Sequence, residues 1–101
     1  MELNEIRQKI DSVDDQISKL YAERMALIKE VSVAKAKTGK AVNDPDREKK
    51  ILLRVTENTP EDQQVFLKRV FETIFETSKA YQTISVEHQS ETGDKIKKAL
   101  E

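Results

Sequence analysis

Eight polar side chains, spread over three stretches of the chain, have the types and spacing to act together on one small anion. They are Arg7, Arg24 and Lys35, then Asp44, Arg47 and Glu48, then Ser78 and Gln82. Arg24 is the most telling. Apolar residues recur at steps of three and four from Leu3 through Ile6, Ile10, Val13, Ile17 and Leu20, and again at Leu27, Val31 and Ala34. Arg24 therefore takes a seam position that the pattern reserves for hydrocarbon. An unpaired buried charge is costly, so Arg24 should either pair with a core glutamate or await an anionic ligand.

Arg7 and Lys35 border the same seam, where most charges form ion pairs between subunits, and for Arg7 that is the plainer reading. Asp44 and Glu48 stand four residues apart on one helical face beside Arg47, and capping alone would account for Asp44. Ser78 and Gln82 continue the apolar stripe Leu67, Phe71, Ile74 at helical spacing. A buried hydroxyl and amide must satisfy each other and the backbone, or line a polar pocket. Three segments that each turn polar groups inward suggest a single buried site.

The parts of most catalytic machinery are missing. There is no cysteine and no glycine-rich phosphate loop, and the single histidine, His88, falls near a helix end where exposure is expected. No metal-ligand cluster is expected either. The inventory suits a small dicarboxylate whose reaction needs charge stabilisation and conformational restraint rather than a nucleophile.

The elements that must position these groups are helices. No Gly or Pro interrupts residues 1–38, so one long helix ending at Gly39 is expected. Asp44-Pro45-Asp46 reads as an N-cap, a proline at the first helical position and an acid in the first turn, starting a second helix to about Asn58 with Ile51, Leu52 and Val55 inside. Thr59-Pro60-Glu61-Asp62 repeats that start signal. A third helix should then run to about Ser90, with Val65, Leu67, Val70, Phe71, Ile74 and Phe75 inward. Gly93 breaks the pattern, leaving residues 91–101 as a lysine-rich tail, frayed or a short separate helix, behind a helical domain of residues 1–90. The fold class is all-α.

At 101 residues, with 37% charged and 37% hydrophobic, the chain is thinly supplied for a monomeric core, which favours burial of the seam against a second copy. A net charge of -1 offers no general attraction to nucleic acid or anionic membranes. Neither a leader nor an uncharged run near the ~20 residues of a spanning helix is present, so a cytoplasmic protein is the expectation.

Taken in series, the segments Ile6-Arg7-x-x-Ile10-Asp11-x-x-Asp14, Leu20-x-x-Glu23-Arg24, Val31-x-x-Ala34-Lys35 and Val42-x-Asp44-x-x-Arg47-Glu48, with the looser Ser78-x-x-x-Gln82, resemble the all-helical, AroQ-type chorismate mutases over residues 3–85. The resemblance implies three-helix chains that intertwine as homodimers and convert chorismate to prephenate, on the route to phenylalanine and tyrosine, without cofactor or metal. It implies that Arg24 and Arg47 hold substrate carboxylates or order the pocket, and that Arg7 adds a carboxylate contact from the partner chain. Lys35 and Gln82 would face the ether oxygen whose bond breaks. Glu48, with backbone near Asp44, would engage the ring hydroxyl, and Ser78 a carboxylate or the wall. None of these positions departs from the family pattern.

Two alternatives stand beside the mutase reading. An isochorismate-pyruvate lyase of the same fold uses a similar cationic pocket, although Glu48 within Asp44-Pro45-x-Arg47-Glu48 favours the mutase. A non-catalytic helical dimerisation or regulatory module would have its inner polar residues satisfy one another and leave no cavity.

Overall fold

The computed structural model describes residues 1–38 and 43–87. Helix α1 runs Leu3–Thr38, α2 Pro45–Glu57 and α3 Gln64–Glu87, with a 3-10 turn at Glu61–Gln63 and no strand among the described residues. The expected all-α class and three-helix order are both present. Gly39 and residues 88–101, including His88 and the tail, lie outside the described residues.

Local chemistry accounts for the boundaries. Asp44 caps α2: its Oδ1 accepts from the Arg47 backbone N–H at 3.2 Å, with Pro45 opening the helix and Asp46 and Glu48 in the first turn. At the other end the Asn58 side chain donates to the Arg54 carbonyl at 3.1 Å, covering one of the orphaned acceptors of the last turn.

The repeated start signal at Thr59-Pro60 behaves differently. The Thr59 hydroxyl donates back to the Val55 carbonyl at 2.7 Å, and Pro60 has no capping side chain, so the chain enters α3 through the 3-10 turn. Gln64 does the joining instead. Its Nε2 donates to the carbonyls of Thr56 and Thr59 at 3.0 and 3.1 Å, fastening the end of α2 to the start of α3.

The molecule measures 55 × 34 × 16 Å. Its length is that of α1, since 36 residues rise about 54 Å, and its thickness is little more than one helix with side chains. Such a slab has almost no interior. Among the described residues only Ile51 and Phe75 are buried apolar side chains. The seam of α1 is not covered within the chain: exposure runs from 40% at Ile6 and Val31 to 63% at Leu20. Val65 and Val70, expected inside α3, are exposed as well, so the inner face narrows to Leu67, Phe71, Ile74 and Phe75.

What α1 turns toward α3 is a second stripe, one residue on from the seam. Tyr21, Met25, Ile28, Ser32 and Lys35 also follow steps of four and three, and Ser32 is fully buried. Tyr21 donates to Thr77 Oγ1 at 2.9 Å, and the Ser78 hydroxyl lies 4.0 Å from the Met25 sulfur. Arg24 sits on the border between the two stripes. From there its guanidinium also reaches Ser78 of α3.

Candidate active site

Where α1, α2 and the C-terminal half of α3 approach one another they leave a cavity of about 230 Å³. Its wall includes Arg24 and Lys35 from α1, Asp44 at the cap of α2, Arg47 and Glu48 from its first turn, and Ser78 and Gln82 from α3. Seven of the eight residues singled out from the sequence thus meet at one place. Leu27, Ile28, Val31, Ile51 and Phe75 supply the apolar remainder of the wall, which lowers the local dielectric around the charges.

Arg7 is the exception. It is exposed and does not line this cavity. The rise of a straight helix puts it about 42 Å from Lys35, far beyond the span of a small ligand.

Within the described residues Arg24 meets neutral groups. Its Nη1 donates to Ser78 Oγ at 2.6 Å and its guanidinium carbon lies 6.0 Å from the centre of the Phe75 ring. Neither contact brings a negative charge, and no carboxylate pairs with Arg24 among the described residues. Burial, and then the nearby charge of Arg47, push its pKa below the ordinary value, with Tyr21 acting in the opposite sense. A guanidinium disfavoured in this way is stabilised by any anion that enters the cavity.

Ser78 relays the position of Arg24 to the helix. Its hydroxyl accepts from Arg24 while donating to the Ile74 carbonyl at 2.6 Å, so both its hydrogen-bonding roles are filled. One turn further on, Gln82 is 5% exposed and its Oε1 is buried with no hydrogen-bond partner. A native interior seldom leaves a buried amide so. Oε1 can only accept, so a donor entering the cavity would satisfy it.

Glu48 has a partner that the sequence reading did not single out. Its Oε2 lies 3.4 Å from Lys79 Nζ, across the junction of α2 and α3, and Lys79 also lines the cavity. The available signal was its place beside Ser78 and one turn before Gln82. Asp44 has its Oδ1 engaged at the start of α2, so the capping reading of that residue holds even though it reaches the wall.

No group of three or more His, Cys, Asp or Glu residues able to hold a metal ion occurs among the described residues. Among the described residues, four cations, two carboxylates and a buried amide line this small cavity in an all-helical chain, the composition of a protein class suited to a small, multiply charged acid. Comparison with known proteins gives that class its family: residues 6–83 match the model of chorismate mutase type II, and the chain belongs to that family. It is 40% identical to a chorismate mutase of Methanocaldococcus jannaschii over 99 residues, covering 95% of this chain and 96% of that protein. It is also 35% identical over 54 residues to a bifunctional chorismate mutase/prephenate dehydratase of Aquifex aeolicus, a match covering 54% of this chain and 15% of that larger protein. The expected resemblance is borne out, and with it an isomerase whose substrate is chorismate.

The neutral contacts of Arg24 lead to one prediction. Arg24→Leu should leave the melting temperature within a few degrees of wild type, because an apolar replacement of a half-buried charge is often neutral or better and Ser78 retains its bond to Ile74. Chorismate turnover should fall at least ~100-fold, since losing a charged hydrogen bond to substrate costs several kcal/mol. A sharp drop in melting temperature would instead make Arg24 a structural residue.

Proposed function

We propose that the cavity holds chorismate in its compact, reactive conformer and stabilises the charge that develops as it rearranges to prephenate. The observation carrying this reading is the convergence of Arg24, Lys35, Arg47, Glu48, Ser78 and Gln82, drawn from three helices, on one small cavity. A non-catalytic module would have closed that space.

The reaction is a [3,3] shift. The ether C–O bond breaks while a C–C bond forms, with no proton transfer and no covalent intermediate. A protein can accelerate it only through restraint and electrostatics. Arg24 and Arg47 bind the two carboxylates, with Ser78 holding Arg24 in place. Glu48 accepts from the ring hydroxyl. Lys35 faces the ether oxygen, where negative charge grows as the bond lengthens, and the Gln82 side chain on the same wall donates to it through Nε2. A preformed ammonium in a wall this apolar stabilises that charge more in the transition state than in the ground state.

Two copies form the working unit in this reading. The exposed seam of α1, from Leu3 to Val31, is covered by the same seam of a second chain packed antiparallel. The N-terminal turns of one copy then reach the pocket of the other, and Arg7 completes the carboxylate site in trans.

Loss of chorismate absorbance followed by identification of the product tests the activity. The expected product is prephenate, with no release of pyruvate from isochorismate supplied separately. Pyruvate release from isochorismate without turnover of chorismate would replace the mutase reading with the lyase.

A further inference from the structure

The charges of the pocket raise a problem that Lys79 solves. Chorismate carries two carboxylates, yet one wall of the cavity is formed by the side chain of Glu48. A carboxylate facing a dianion across a small, poorly screened space opposes binding. Asp44 adds a second negative charge, although its Oδ1 is directed to the amide of α2. Lys79, whose Nζ lies 3.4 Å from Glu48 Oε2, is the cation placed to offset that carboxylate.

We propose that Lys79 is a positioning residue that neutralises Glu48 and sets its carboxylate, allowing Glu48 to accept the substrate hydroxyl without repelling the substrate's own carboxylates. This inference rests on the chorismate reading of the same cavity. The geometry supports it in two ways. Lys79 Nζ lies 3.4 Å from Glu48 Oε2, and both residues line the cavity. The two side chains are 36% and 27% exposed, so the pair is less screened than a pair on the open surface and should have a measurable effect on ligand affinity. The ammonium comes from α3 and the carboxylate from α2, so the orientation of Glu48 also depends on how these helices meet.

The test measures turnover of chorismate, and affinity for a bicyclic dicarboxylate mimic of its compact conformer, in wild type, Lys79→Met, Lys79→Arg, Glu48→Gln and Glu48→Gln/Lys79→Met. Mimic affinity remains readable in variants too slow to assay. Lys79→Met should raise KM and weaken mimic binding about 10-fold with kcat changed less than about 3-fold, because the interaction acts equally on ground and transition states. Lys79→Arg should restore most of the loss. In the Glu48→Gln background, removing Lys79 should change affinity less than about 2-fold, as expected when one residue acts through the other. Equal losses from Lys79→Met in both backgrounds would overturn the proposal and make Lys79 an independent substrate contact. A lowered melting temperature with unchanged affinity would overturn it in favour of a brace between α2 and α3. Absence of chorismate turnover by the wild type would overturn the proposed function, and this inference with it.

Discussion

Lys35→Ala should fold normally and lose at least ~100-fold in kcat, the scale seen when a single donor to a developing oxyanion is removed. That is about 2.7 kcal/mol on the barrier, at 1.36 kcal/mol per decade. Lys35 sits near the C-terminal end of α1, half-buried, on the stripe that turns toward α3 and into the cavity wall. Truncating it removes a cation from the wall without touching Ile51 or Phe75, the buried apolar side chains. Helical content by circular dichroism should therefore match wild type. KM should move less than kcat, because in the proposed pocket Arg24 and Arg47 still bind the carboxylates and the missing charge matters most when the ether bond is partly broken. A variant with near-normal kcat would exclude Lys35 from the role assigned to it.

Much of the fold was legible because its punctuation is strong. Gly and Pro are absent through α1, and the Asp44-Pro45 cap fixes where α2 begins. The start of α3 was less legible, since a threonine before Pro60 resembles a cap in sequence but bonds back into α2 in space. One other feature stayed hidden. The heptad from Leu3 to Ala34 is so regular that it obscures a second stripe one residue over, and that second stripe makes the contact with α3 within the chain.

The candidate site was legible through its anomalies. Arg24, Ser78 and Gln82 violate apolar patterns, and each lines the cavity. Lys79 violates nothing. A lysine on an amphipathic helix reads as an ordinary solvated charge, and only the three-dimensional approach of α2 reveals Glu48 beside it. Arg7 is legible in the motif and unexplained by the single chain, since it lies on the exposed N-terminal part of α1.

That mismatch gives the second large prediction. Arg7→Ala should be nearly inactive although Arg7 does not line the pocket of its own chain, because in the proposed dimer it serves the pocket of the partner. A bidentate guanidinium–carboxylate contact is among the stronger charged interactions, so a loss of ~100-fold or more in kcat/KM is expected. The alternative, a seam-edge ion pair, would leave kcat/KM near wild type, as exposed pairs contribute at most about 1 kcal/mol.

Complementation between two inactive variants tests the shared site most directly. Arg7→Ala and Lys35→Ala chains, mixed, unfolded and refolded together, should pair at random, so that half the dimers are mixed. Each mixed dimer has one pocket with both Arg7 and Lys35 intact and one with neither. Chorismate mutase activity should return to about a quarter of the wild-type value from two preparations that are each nearly inactive. Mixed dimers confirmed by mass that show no recovered activity would contradict a pocket built by one chain and completed by the other.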